Sequence, residues 1–126
     1  MKFARLVFLI AGIYGLLLLA PVCFLESKIV PAITHPEFFY GFVGIAIAWQ
    51  IAFLVVGRDP VRFRPIMVAA IVEKTVYGLA VVILYLLNRL AALPAAIGAV
   101  DLLFAVLFAA AYAFTGMQVA PAKKWG

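Results

Sequence analysis

Four long apolar stretches, at residues 6–25, 38–56, 66–87 and 93–114, constrain the fold of this chain more than any other feature. Each is long enough to cross a hydrocarbon core about 30 Å thick, which takes about 20 helical residues. Helix is the expected state, because open strands leave backbone amides unpaired in lipid and a closed barrel needs about eight strands or more. The sequence therefore predicts an all-α fold, a four-helix transmembrane bundle that forms one domain over residues 1–126.

Composition agrees with a membrane protein. Hydrophobic residues make up 69% of the 126 residues and charged residues 12%, whereas soluble domains average about half apolar and a quarter charged. The formal net charge of +5 does not indicate nucleic-acid binding, because the basic residues flank the apolar stretches, where they set topology and contact anionic lipids. We expect the lipid bilayer as a partner and no nucleic acid.

The basic residues predict the orientation of the bundle. Seven fall on one side of the predicted membrane and two on the other, and such an excess marks the cytoplasmic side. Both termini and the loop between the second and third helices are therefore expected in the cytoplasm. Arg58, Arg62 and Arg64 in that loop are expected to contact lipid headgroups. The seven are Lys2, Arg5, Arg58, Arg62, Arg64, Lys123 and Lys124, and the two are Lys28 and Arg89.

Local signals mark the helix ends. Thr34 and Glu37 have the spacing of a capping box at the start of the second helix. Pro65 and Pro94 suit the first turns of the third and fourth helices, where a missing N–H is tolerated. Asn88 is expected to end the third helix.

Polar side chains within the predicted helices are the candidate functional residues. A charge at mid-bilayer costs about 2.5 to 3.5 kcal/mol on insertion scales, so it needs compensation inside the bundle. At about 1.5 Å per residue from the basic residues, Tyr14, Gln50 and Glu73 lie about 12 to 14 Å deep, with Tyr77 and Asp101 about one turn further. The candidate ligand or proton site comprises Tyr14, Gln50, Glu73, Lys74, Tyr77 and Asp101.

Helical periodicity predicts which of these groups face inward. At about 100° per residue, Glu73 and Tyr77 share a stripe, and Asp101 shares another with Gly98. Lys74 lies at the edge of the first stripe, so it either turns inward or extends toward the cytoplasmic headgroups. A direct Lys74–Asp101 pair is opposed by the lean of side chains on antiparallel helices, but the long lysine stem can recover the distance, so this pair stays open. Glu73 with Lys74, and Asp101 with Tyr77, are equally acceptable pairs.

Two interpretations of these groups remain open. In one they satisfy each other and fix helix register, although interhelical hydrogen bonds contribute only about 0.6 kcal/mol each. In the other they form a ligand or proton site. We favour a non-catalytic binding or interaction protein. The alternatives are a proton-coupled small-solute transporter that uses Glu73 and Asp101 and, third, an enzyme in which they protonate a lipidic substrate.

Covalent catalysis and metal binding are not expected. The chain has one serine, Ser27, and one histidine, His35, so a hydrolase triad is not available. His35 and Glu37 offer only two metal ligands, which favours a capped helix start over a metal site. We expect no catalytic residue and no cofactor.

A small-residue stripe on the second helix permits close helix approach. Gly41, Gly44, Ala48 and Ala52 lie on one face, and such stripes pack against neighbouring helices. Packing inside the bundle is favoured over a contact between subunits. The candidate protein partners are a second copy of the chain or another membrane protein.

Three segments carry a resemblance to a known family. HPEFFYGFVGIAIAWQ (residues 35–50), GRDPVRFRP (residues 57–65) and the Glu73–Lys74 pair resemble the small four-helix bacterial membrane proteins of the BphX-like type. The resemblance implies a bacterial cell inner membrane as the location. It implies no activity and assigns no functional residues.

Overall fold

The computed structural model describes residues 2–119. Its α-helices are α1 (Lys2–Val22), α2 (Pro36–Arg58), α3 (Arg64–Leu86) and α4 (Ala92–Val119), with a 3-10 turn at Glu26–Lys28. All four α-helices of the described chain are long and apolar enough to cross a membrane. The predicted all-α, four-helix transmembrane bundle is confirmed, and each helix begins or ends a few residues beyond the predicted stretch on the side of the basic residues.

The outer surface of the bundle is apolar. Leu17, Leu86 and Val106 are 74%, 71% and 67% exposed, and many other large aliphatic side chains point outward with them. Helices with apolar residues on all sides are typical of membrane spans, whose outer faces contact lipid. The chain is therefore a multi-pass membrane protein.

Contacts between helix ends place the basic loop and the start of α1 at the same end. Arg5 Nη2 donates to the carbonyl of Arg58 at 3.3 Å. Arg64 Nε donates to the carbonyl of Tyr112, in the last turns of α4, at 3.1 Å. We call this end, where α1 and α3 begin and α2 and α4 end, the basic end, and the other the opposite end. Lys123 and Lys124 lie outside the described residues.

Three of the four predicted helix-end signals are found. Prolines occupy the first turns of α2 and α3, and Pro94 lies in the first turn of α4. After α3, Asn88 adopts a left-handed conformation with φ 57°, and Arg89 N–H donates to the Leu84 carbonyl at 2.9 Å. This is a Schellman motif, in which asparagine tolerates the positive φ.

The predicted capping box at α2 is wrong. The N-cap of α2 is His35, and no side chain caps the helix there. Glu37 Oε1 instead lies 3.1 Å from His35 Nδ1. Because the helix begins at Pro36, Thr34 is one residue too early to cap it, and Glu37 pairs with the histidine next to the helix start.

The half of the bundle near the basic end is filled by aromatic side chains. Phe8, Phe53 and Phe108 are fully buried. The rings of Phe8 and Phe108 stack with centroids 4.1 Å apart, and Phe53 meets Phe108 edge-on at 5.0 Å. Lipid tails are as apolar as these side chains, so van der Waals contact rather than transfer from water stabilises this packing.

Glycines bring two helix pairs close together. A Cβ at Gly78 would lie 2.8 Å from the Gly98 carbonyl, which brings α3 against α4, and a Cβ at Gly12 would lie 2.9 Å from the Gln50 carbonyl, between α1 and α2. The expected internal role of the small-residue stripe on α2 is wrong, because a Cβ added at Gly41 or Gly44 would meet no atom of the described residues within 4 Å. That stripe, with Ala48, faces outward.

The helix order leaves one side of the bundle open. α1 packs along α2 and against α4, and α4 packs along α3, whereas α2 and α3 touch each other little. The short loop between Arg58 and Arg64 joins α2 to α3 only at the basic end. A cleft therefore separates these two helices.

Candidate functional site

The cleft between α2 and α3 forms a large cavity among the described residues. It has a volume of about 960 Å³, and all four helices contribute residues to its wall. On α2, Ile45 lines it while being 65% exposed, and on α3 Val72 and Val76 line it while being 55% and 63% exposed. These three residues form the rim, so the cleft opens sideways between the helices, where acyl chains lie in a membrane.

Each of the six candidate site residues contributes to the wall of this one cleft. They are Tyr14, Gln50, Glu73, Lys74, Tyr77 and Asp101. Counting residues from the basic ends of the helices predicts two adjacent layers of polar groups. In the structure these residues come from four different helices and line the same cleft. The sequence interpretation missed their apolar and aromatic neighbours, of which Gly15, Phe42 and Trp49 are the most informative. Gly15 and Trp49 adjoin Tyr14 and Gln50 in the chain, which is the only signal that pointed to them.

Lys74 and Asp101 form a buried ion pair. Lys74 Nζ lies 3.1 Å from Asp101 Oδ1, and the two side chains are 5% and 9% exposed. Lys74 therefore turns into the bundle, and Asp101 pairs with it rather than with Tyr77. The side-chain lean that opposed this pair is overcome by the four-carbon lysine stem. The ammonium also lies 5.3 Å from the centroid of the Phe53 ring.

The inward face of α3 is rotated relative to the predicted stripe. Its buried residues are Met67, Ala70, Lys74, Gly78 and Val81. Lys74 is at the centre of this face, so the expectation that it lies at the edge is wrong, and the inward direction is turned toward Lys74 by less than the roughly 100° that separates consecutive residues. The physical reason is that α3 packs against α4 through Gly78 and not against α2, so the side that carries Glu73 and Tyr77 borders the cleft instead.

Glu73 lacks a close partner. Its Oε2 atom lies 3.9 Å from Lys74 Nζ, is buried, and accepts no hydrogen bond from the part of the chain that the structure describes. Its side chain is 19% exposed and lines the cleft. With Lys74 already paired to Asp101, the three groups carry a formal charge of −1 when all are ionised.

Gln50, another residue of the cleft wall, carries a second buried oxygen, which lies against Gly15 of α1. The side chain is 2% exposed, and its Nε2 atom donates to the Ala46 carbonyl of its own helix at 3.0 Å. Its Oε1 atom has no hydrogen-bond partner. Gly15 of α1 makes room for this amide, because a Cβ there would clash with Oε1.

The two tyrosines lie at different edges of the cleft. Tyr14 tilts against Phe104 of α4 with ring centroids 5.7 Å apart. Tyr77 stacks on Phe42 of α2 at 5.6 Å, with an interplanar angle of 27°. This stack spans the gap between α2 and α3. Gln50 lies on α2 two turns nearer the basic end than Phe42.

The three arginines of the basic loop differ from one another. Arg58 and Arg62 are exposed, as lipid headgroup contact requires. Arg64 is half-buried, donates to the Tyr112 carbonyl and lies 3.6 Å above the Tyr112 ring. Arg64 thus ties the start of α3 to α4, which the sequence did not indicate.

Comparisons with known proteins assign no relative. No family model, no curated protein and no solved structure matches this chain. The resemblance to the BphX-like proteins stays a prediction.

Proposed function

We propose that this chain is a non-catalytic membrane protein that binds a small lipid-soluble molecule in the cleft between α2 and α3. The cleft itself carries this proposal. Its volume of about 960 Å³ falls in the range of about 300 to 1,000 Å³ usual for small-molecule sites, which are mostly apolar with few convergent polar groups. Here those polar groups are the six candidate residues.

Volume favours a small molecule over a partner helix. A transmembrane helix about 10 Å across and 30 Å long occupies roughly 2,400 Å³. The cleft, at about 960 Å³, is less than half that size. Entry from the bilayer through the rim at Ile45 and Val76 suits a lipid-soluble compound.

The packed basic half supports binding rather than passage. Between the cleft and the basic end, Phe8, Phe53 and Phe108 fill the interior in mutual contact. A solute that crossed the bundle would have to displace these rings. A ligand that enters and leaves by the rim would not.

A proton-coupled transporter is the second candidate function, and one observation favours it. A buried carboxylate oxygen without a hydrogen-bond partner, as at Glu73, is a common feature of proton relays in membranes. The test is to reconstitute the protein in liposomes, add a small solute outside them and measure whether protons enter with it. We expect no proton uptake, and uptake that is lost in Glu73→Gln and Asp101→Asn would favour the transporter instead.

We also propose where in the cell the protein lies. The BphX-like resemblance and the excess of basic residues at one end support the inner membrane of a bacterium, with both termini in the cytoplasm.

Trp49 offers a direct test of binding. It lines the cleft, and the only other tryptophan of the sequence is Trp125. In a Trp125→Phe background in phosphatidylcholine nanodiscs, pyrene, which absorbs tryptophan emission, should quench Trp49 with a saturable dependence on concentration.

A matched pair of variants assigns the quenching to the cleft. Ala80→Phe adds a ring to the cleft wall and should weaken saturable quenching severalfold. Ala109→Phe adds the same ring to an exposed position of α4 that does not line the cleft and should leave it unchanged. Quenching that rises without saturation, or that responds equally to both variants, would contradict a binding site here.

A further inference from the structure

We propose that the ligand of the α2–α3 cleft is a lipophilic amine, with its protonated nitrogen at the Glu73 carboxylate and its apolar body among the aromatic rings of the wall. This inference rests on the proposed function and names the chemical class of its ligand. Three features of the cleft support it: the charge of its wall, the hydrogen-bonding capacity of its buried oxygens and the side chains that line it.

Charge favours a cation. Lys74, the one basic residue that residues 2–119 contribute to the wall, is paired with Asp101 at 3.1 Å. Glu73 lies further from it, at 3.9 Å, so the one ammonium faces two carboxylates, and the three groups have one negative charge in excess when all are ionised. An intramembrane charge is costly unless it is paired, and a ligand cation supplies the missing partner. A ligand anion would add a second unpaired charge.

Hydrogen-bonding capacity favours a donor. Within residues 2–119, the buried side-chain polar atoms that lack a partner are Gln50 Oε1 and Glu73 Oε2. Both are acceptors. Gln50 is held in place by its bond to the Ala46 carbonyl and by the space above Gly15. An ammonium group has up to three N–H donors and no acceptor, so it complements what these two oxygens lack.

The lining suits an organic cation rather than a metal ion. Four aromatic side chains, Tyr14, Phe42, Trp49 and Tyr77, contribute to the wall. Ring faces attract ammonium groups, with tryptophan the strongest, while the aliphatic remainder accommodates a hydrocarbon body. A bare metal ion would find two unpartnered oxygens, which is too few for calcium or magnesium.

Three pyrene probes of nearly equal shape test the inference in Trp125→Phe protein. Pyrenylmethylamine is cationic at neutral pH, pyrenylmethanol is neutral and pyrenecarboxylate is anionic. Nanodiscs of zwitterionic phosphatidylcholine avoid concentrating either ion at the surface. From Trp49 quenching we expect the amine to bind about tenfold more tightly than the alcohol, as a charge-assisted bond implies, and the acid to bind most weakly.

Glu73→Gln isolates the responsible group. The variant keeps the shape of the side chain, and Lys74 retains Asp101, so the bundle should assemble. In this variant the preference should disappear, so that the amine binds no more tightly than the alcohol does to the same protein. Glu37→Gln, which removes an exposed carboxylate next to His35, is the matched control and should keep the full preference.

The outcomes separate the inference from the proposed function. Saturable binding of the alcohol without preference for the amine, or a preference that survives Glu73→Gln, overturns the amine assignment and leaves a binding cleft. Absence of saturable binding of all three probes overturns both. If Glu73→Gln does not assemble, the ranking of the three probes on protein with Glu73 intact decides the inference alone.

Discussion

The pair of Lys74 and Asp101 determines how charge is tolerated inside this bundle. Both side chains are less than a tenth exposed, and their charged atoms are 3.1 Å apart. Breaking such a pair is far more costly than its net contribution suggests, because the remaining charge is left without a partner in a medium of low dielectric. The two partners are not equivalent, since Lys74 has a second carboxylate, Glu73, at 3.9 Å, whereas residues 2–119 form no second ion pair with Asp101.

We therefore predict an asymmetry between the two single variants. Asp101→Leu leaves Lys74 next to Glu73 and should destabilise the bundle moderately. Lys74→Met removes the one ammonium that faces both carboxylates and should cost more, with about 2.5 to 3.5 kcal/mol per unpaired charge as a scale. The double variant should recover part of the loss of Lys74→Met. Thermal unfolding in detergent measures all three.

Lys28→Met is the control for that series, because it removes an exposed lysine of the loop between α1 and α2 and should change nothing. Equal losses for Lys74→Met and Asp101→Leu, or a double variant as unstable as the sum of the two, would show that the groups do not compensate each other.

At the scale of helices, glycine positions decide which helices approach closely. The α3–α4 contact depends on Gly78, whose Cβ position lies 2.8 Å from a backbone carbonyl of α4 and 2.7 Å from Leu102. A backbone atom does not rotate away as a side chain does. Gly44 of α2 lies on an open face instead, where an added Cβ would meet no atom of the described residues within 4 Å.

This contrast gives a second stability prediction. Gly78→Ala should destabilise the bundle by about 1 to 3 kcal/mol, the usual cost of overpacking, because α3 and α4 must separate. Gly44→Ala should be neutral or stabilising by up to about 1 kcal/mol, because alanine is the better helix former. Unfolding temperatures of the two variants, measured side by side in the same detergent, provide the comparison. A tolerated Gly78→Ala would mean that the α3–α4 packing adjusts more easily than the backbone contact implies.

The predicted inward face is observed on α4 but not on α3 or α2. The stripe containing Gly98 and Asp101 on α4 is buried as predicted. On α3 the inward face is centred on Lys74 rather than on Glu73 and Tyr77, and the small-residue stripe on α2 faces outward. Helices that are apolar on all sides have no polar face turned to water, so the inward direction depends on neighbours that periodicity does not reveal.

For the whole molecule, topology is the property to test first. The described basic residues of the predicted cytoplasmic side meet at one end of the bundle through the Arg5–Arg58 and Arg64–Tyr112 contacts. Green fluorescent protein fused after Gly126 or inserted in the loop at residues 59–63 should fluoresce, because it folds only in the cytoplasm. Alkaline phosphatase inserted near Val30 should be active, because it needs the outer compartment. Phosphatase activity from either of the first two positions would reverse the orientation or remove a span.

Sequence alone determined the number of helices, their approximate bounds and the identity of the polar residues within them. These are local properties, because hydropathy, helix length and the position of a charge along the chain do not depend on which helices pack together in space. Only the tertiary structure decided that Lys74 pairs with Asp101, that Glu73 and Gln50 each keep an oxygen without a partner, and that α2 and α3 stand apart. These facts depend on helix rotation and on which pairs of helices pack closely, and in lipid neither is fixed by an apolar surface that is the same on every side.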